Sequence, residues 1–129
     1  VATTALAPAA WRAEVQARGV DVLVLPDDSG LVDLAALWRA LGEREVTSLL
    51  LEGGATLLAS AVAAGLVDKL AVFIAPKLIG GAQAPGPLGG VGWARLAEAP
   101  ALRFAQVERV GEDVLVIAYP RGAACSPES

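Results

Sequence analysis

Apolar positions along this chain come in two patterns, continuous runs of five to seven and stripes at helical spacing, and they alternate. Residues 1–5 read as a short strand ending in hydroxyls. Pro8 opens a helix to about Arg18, with Trp11, Val15 and Arg18 at helical spacing and Gly19 as its stop. Residues 20–25 are apolar except for Asp21, the pattern of a buried strand. The turn at 26–30 supplies N-cap side chains to a second helix, whose stripe is Leu31, Leu34, Leu37, Trp38 and Leu41 and whose end is Gly42. Residues 46–52 form the next strand and 54–64 a third helix, stopped by Gly65.

Strand and helix alternating in this order predict an α/β fold. Its strands pair in parallel through right-handed crossovers, and its helices and sheet form three layers. Continuous rather than alternating apolar strands fit a sheet covered on both faces. After Gly65 the pattern changes. Residues 69–75 are a strand closed by Pro76, and 79–92 form a loop with six glycines and two prolines, long enough to suggest a functional role. Strands at 102–110 and 114–119, separated by Gly111-Glu112-Asp113, make a hairpin, so the mostly parallel sheet should end antiparallel. One domain over 1–121 and a disordered tail over 122–129 are expected, with no internal repeat.

Composition narrows the function. The chain has 129 residues and is 55% hydrophobic, yet charges and glycines interrupt every run before the roughly 20 residues a membrane helix needs. The helix at 54–64 is too short to span and is expected in a core. A net charge of −4 argues against a broad nucleic-acid surface but leaves room for one small anion. With no histidine, the Ser–His–Asp scheme and most zinc sites drop out, and no metal is expected. Cys125 is the only cysteine, so no internal disulfide can form, which suits a reducing, cytoplasmic setting. The start lacks the basic and apolar regions of a signal peptide, and it opens on Val1 with a strand under way, as a fragment or processed form would.

Candidate chemistry concentrates at Leu51-Glu52-Gly53-Gly54-Ala55-Thr56. A carboxylate at a strand's end can accept hydrogen bonds from ligand amino or hydroxyl groups, or simply satisfy the first amides of the helix. Gly53 and Gly54 let a phosphate approach the backbone, and Thr56 and Ser60 add hydroxyls on one face. A tight strand-to-helix turn would need the same glycines. Neither the dinucleotide fingerprint nor the P-loop is present. Thr3 and Thr4 end the first strand and can bring hydroxyls to the same sheet edge, although threonine is also an ordinary strand residue. Asp68 reads as structural, Lys77 and Gly80-Gly81 as pocket-closing or idle, and Arg95, Arg103 and Arg109 as solvated charges.

Three segments in order, Leu51-Glu52-Gly53-Gly54-Ala55-x-Leu57, Gly65-Leu66-Val67-Asp68-x-Leu70 and Ile74-Ala75-Pro76-Lys77-Leu78-Ile79-Gly80-Gly81, closely resemble the reductase domain of the bacterial riboflavin-biosynthesis deaminase–reductase. Val1-Ala2-Thr3-Thr4, Gly19-Val20-Asp21-Val22-Leu23, Val32-Asp33-Leu34, Leu102-Arg103 and Gly111-Glu112-Asp113-Val114 agree as well. The resemblance implies a dihydrofolate-reductase-like fold. It implies NADPH-dependent reduction of the ribosyl group of 5-amino-6-(5-phosphoribosylamino)uracil to ribityl, in a homodimer with a possible fused N-terminal zinc deaminase. By it, Glu52 matches a substrate contact. Gly53, Gly54, Ala55, Thr56, Leu57, Leu58, Ala59 and Ser60 match the NADP-binding helix start, and Thr3 and Thr4 a strand end near the cofactor. No catalytic residue is assigned. Family domains begin well before the segment matching Val1, and the earlier part carries most substrate contacts, so weak cofactor binding and no turnover are expected of these residues alone. Lys69, where the family often has an acid, is a smaller departure. Two alternatives stay open: a related reductase of another pterin or pyrimidine, and a noncatalytic dimerisation or nucleotide-binding module built on the terminal hairpin.

Overall fold

The computed structural model describes residues 1–28, 30–81 and 83–121. The expected tail at 122–129, with Cys125, lies outside the described residues. The chain divides into two compact units, Val1–Leu50 and Leu51–Ser129, and the secondary structure of both together is α/β.

In the first unit β1 (Ala2–Thr3) and β2 (Leu23–Val24) pair in parallel, with α1 (Ala9–Ala17) connecting them. The Leu23 and Leu25 amides donate to the Val1 and Thr3 carbonyls at 2.8 Å. Pro8 is the N-cap of α1, where its missing N–H costs no helical bond, and the chain leaves the helix through Gly19 at φ 80°. Arg18 does not extend the apolar stripe; it reaches back one turn to Glu14 at 2.5 Å on the exposed side.

The turn expected at 26–30 is a small hairpin, β3 (Asp27–Asp28) against β4 (Leu31–Val32), and it does not cap the following helix. That cap is Asp33, whose Oδ1 accepts from the Ala36 amide at 3.0 Å. Leu31 therefore belongs to β4 and is exposed, while Leu34, Leu37, Trp38 and Leu41 form the half-buried stripe of α2 (Leu34–Gly42).

The strand expected at 46–52 does not form. After α2 the chain turns through Glu45 at φ 60°, the Val46 amide returns to the Leu41 carbonyl at 3.1 Å, and no ladder follows. Leu50 is 81% exposed. Branched apolar residues favour a strand only when a neighbouring strand accepts their hydrogen bonds, and this run has none among the described residues.

The second unit contains α3 (Ala55–Ala63) and an antiparallel sheet of β5 (Leu70–Ile74), β7 (Asp113–Pro120) and β6 (Leu102–Val110), with β7 in the middle. β6 and β7 join through Gly111 at φ 64° and Glu112, with Val110 opposite Asp113. The register steps between Phe104 and Gln106, leaving Ala105 as the extra residue of a bulge in β6. Among described strands only β1 and β2 are parallel, so the expectation of a mostly parallel sheet is corrected: the other three pairings are antiparallel. The terminal antiparallel hairpin is as expected. Within α3 only Ala61 is buried, which also corrects the expectation of a core helix. Ala118 in β7, the middle strand of the sheet, is the other buried apolar residue among the described residues.

Candidate functional site

The Gly53-Gly54 turn leads directly into α3. Gly54 is the N-cap with φ 23° and ψ 131°, a backbone setting that disfavours a Cβ, and no side chain caps the helix. The first intrahelical bond of α3 runs from the Leu58 amide to the Gly54 carbonyl at 3.1 Å, so the amides of Ala55, Thr56 and Leu57 have no protein acceptor among the described residues. Such a terminus carries partial positive charge and suits an anion.

Glu52 is exposed and has no hydrogen bond or ion pair among the described residues. It does not cap α3, which removes the purely structural role considered for it. It is also not at a strand's end, since 46–52 is irregular.

A groove of about 230 Å³ runs along α3, lined by Thr56, Ala59, Ser60 and Ala63 on the helix and by residues 89–93 opposite. These helical positions share one face. Small side chains and glycines keep the groove open. The Gly89 amide donates to the Ala55 carbonyl at 2.9 Å, and a Cβ on Gly89 would lie 3.3 Å from Ala55 C, Ala55 Cβ and Thr56 N. Ser60 Oγ donates to the Thr56 carbonyl at 3.0 Å.

Of the expected site residues, Thr56, Ala59 and Ser60 line the groove, whereas Glu52, Gly53, Gly54, Ala55, Leu57 and Leu58 do not. Leu57 is exposed and Leu58 half-buried. Thr3 and Thr4 belong to the first unit. Thr3 pairs with Val24 in β1, and Thr4 is buried with its hydroxyl accepting from the Leu6 amide at 3.3 Å, a local turn. Sequence reasoning missed Trp93 and the contact of Gly89 with α3; the glycine cluster at 89–92 was the available signal.

The other polar candidates have local roles. Arg95 pairs with Glu98, Arg109 Nε donates to the Gly111 carbonyl at 3.0 Å, and Arg103 sits 5.6 Å from the centre of the Tyr119 ring. The Lys77 amide closes a tight turn onto the Ala75 carbonyl at 2.8 Å. No cluster of three metal-ligating side chains occurs among the described residues, and no helix is long and apolar enough to cross a membrane.

Comparison with known proteins identifies relatives. The family model described as RibD C-terminal domain matches residues 1–116. The riboflavin biosynthesis protein RibD of Actinobacillus pleuropneumoniae is 46% identical over 98 residues, covering 76% of this chain and 26% of that protein. RibD of Escherichia coli K12 is 41% identical over 95 residues, covering 74% and 26%. The chain thus spans about a quarter of the length of these relatives. Acinetobacter baumannii RibD superposes with a TM-score of 0.74 at 24% identity, over 84% of this chain and 29% of that one. A pyrimidine reductase-like protein from Corynebacterium diphtheriae gives 0.70 at 22%, over 93% and 49%. At these identities the structural matches speak for the fold.

Proposed function

The chain belongs to the RibD C-terminal domain family, and on that footing we propose that it carries the reductase step of riboflavin biosynthesis. The reaction is NADPH-dependent reduction of the ribosyl group of 5-amino-6-(5-phosphoribosylamino)uracil to ribityl. NADPH would supply the hydride, delivered to the sugar C1′ once the sugar ring has opened to an imine-like form, with water supplying the proton to the imine nitrogen. Protein side chains would bind and orient the two reactants, and alignment alone supplies much of the acceleration.

The observation that carries the cofactor reading is the start of α3. Gly54 holds a conformation suited to glycine, three amides lack acceptors among the described residues, and no side chain competes for them. An anionic pyrophosphate fits that donor set. Gly53, Gly54 and Ala55 would hold it through the backbone, Thr56 and Ser60 would offer hydroxyls beside it, and Leu57, Leu58 and Ala59 would complete the helix start. Thr3 and Thr4 are proposed near the cofactor on the family resemblance. Glu52, exposed and uncommitted, is proposed to accept hydrogen bonds from the substrate.

The same proposal includes the dihydrofolate-reductase-like three-layer arrangement, a homodimer, a cytoplasmic location and a fused zinc deaminase domain. The fusion is supported by relatives about four times the length of the matched segment. Most substrate contacts are proposed to lie in the rest of such a protein, so these 129 residues alone should bind NADPH weakly and not turn over.

Calorimetric titration of the chain with NADPH tests the reading. Weak saturable binding is expected, reduced about tenfold or more in Gly54→Val, because a β-branched residue resists that φ. Glu52→Gln should leave NADPH affinity unchanged, since its proposed partner is the substrate. Absence of NADPH binding by the wild type would sink the cofactor assignment, and turnover by the chain alone would sink the division of the site.

A further inference from the structure

The groove along α3 has one aromatic wall. Trp93 is half-buried and is the only aromatic residue lining the groove among the described residues, with Ala59 and Ala63 of the helix opposite. Backbone contacts hold the segment before Trp93 against α3. The Gly89 amide donates to the Ala55 carbonyl at 2.9 Å, and one turn further a Cβ at Gly90 would lie 3.9 Å from Ala59 Cβ. Gly90 and Gly92 take φ 73° and 65°, settings that favour glycine. Val91 between them is fully exposed, which leaves Trp93 as the half-buried large side chain of that wall.

The groove begins at Thr56, beside the amides of residues 55–57, and ends at Ala63, about 10 Å along the axis at a rise of ~1.5 Å per residue. Its volume of about 230 Å³ falls below the roughly 300 Å³ at which drug-sized pockets begin, so it suits one ring with its sugar and not a whole dinucleotide. An aromatic wall facing two alanine methyls favours a planar ring laid between them. Glu52 does not line the groove; it precedes the helix, at the opposite end from Ala63.

We propose that the groove takes the adenine end of the dinucleotide, and that Trp93 stacks on the base and determines specificity for it. This rests on the NADPH reading of the start of α3 and assigns the two halves of the cofactor. With the pyrophosphate at the amides of residues 55–57 and the substrate sugar beside Glu52, the reduced nicotinamide has to lie toward Glu52, ahead of the helix. The half that runs along α3 toward Ala63 is then the adenosine. Trp93 takes no part in hydride transfer; it contributes binding, and stacking of a base on an aromatic side chain changes affinity by about tenfold.

Calorimetric titration of the full 129-residue chain with ADP, inorganic pyrophosphate and reduced nicotinamide mononucleotide tests it, with far-UV circular dichroism confirming that each variant is folded. Pyrophosphate reads the amides alone, and ADP adds the adenosine. The wild type should bind ADP about tenfold more tightly than pyrophosphate. Trp93→Leu should abolish that difference and Trp93→Phe should keep most of it, with pyrophosphate and the reduced mononucleotide unaffected by either. Ala63→Leu, a change that suits a helix and fills the far end of the groove, should abolish the same difference with Trp93 intact. Equal affinities of the wild type for ADP and pyrophosphate, or a difference that survives Trp93→Leu or Ala63→Leu, would overturn the adenine site and leave the cofactor reading standing. Loss of the reduced mononucleotide in place of ADP in Trp93→Leu would put the nicotinamide in the groove and overturn the assignment of the halves. A wild type that binds neither NADPH nor ADP would overturn both readings.

Discussion

Single residues in this chain do their work through backbone geometry more than through side-chain reach. Asp33 caps α2 with a 3.0 Å bond to the Ala36 amide, so Asp33→Ala should cost about 1 kcal/mol in urea unfolding. Gly89 and Gly86 make a matched pair. A Cβ on Gly89 meets backbone atoms of α3 at 3.3 Å, whereas one on Gly86 meets only the Leu88 carbonyl at 3.7 Å. Gly89→Ala should therefore destabilise by about 1 kcal/mol through overpacking and narrow the groove, while Gly86→Ala should be neutral or slightly stabilising. Equal effects of the two in denaturant melts would remove the argument that Gly89 exists for close approach. At this scale the sequence was informative where glycine was required by φ, as at Gly54 and Gly111, and uninformative about Gly89, whose reason is a neighbour distant in sequence.

Elements depend on what lies beside them. Residues 46–52 and β7 have equally branched apolar runs, yet only β7 forms a strand, because β5 and β6 flank it on both sides. The amides of residues 47–50 donate no hydrogen bond among the described residues. In hydrogen exchange those amides should lose protection in the earliest sample, while those of Leu115, Val116 and Ile117 at the sheet centre persist longest. Lasting protection at 47–50 would overturn the reading of that run as unpaired. The hairpin at 26–30 was misjudged for a related reason: turn residues are recognisable in sequence, but whether a turn caps a helix or pairs its flanks depends on where Asp33 falls. α3 carries Thr56 and Ser60 on one face and apolar residues on the rest, yet buries only Ala61, which the spacing within the helix does not reveal.

On the scale of the whole molecule, the binding reading has a thermodynamic consequence. NADPH binding to the folded state alone adds stability as RT ln(1 + [L]/Kd), about 1.4 kcal/mol at ten times Kd. The melting temperature should rise by several degrees with NADPH and stay level with an equal concentration of chloride salt. No rise at saturating NADPH would contradict the site at α3. The exposed apolar residues Val72 and Ile74 on β5 and Phe104 and Val107 on β6 oppose Val116, Val114, Ala118 and Val116 on β7 and so share one face of the sheet, which is more than scattered surface exposure and suits association.

The sequence by itself determined the helices, the strand 102–110 with its hairpin, and the family, because periodicity, glycine placement and local motifs are properties of short segments. It also picked out Gly53-Gly54 as the entrance to α3, since a glycine pair before an apolar helix has few other uses. Only the tertiary structure decided that 46–52 stays unpaired, that the groove is walled by residues 89–93, and that Ala105 shifts the faces of β6. Those outcomes rest on partners far along the chain, and spacing within a segment holds no record of them.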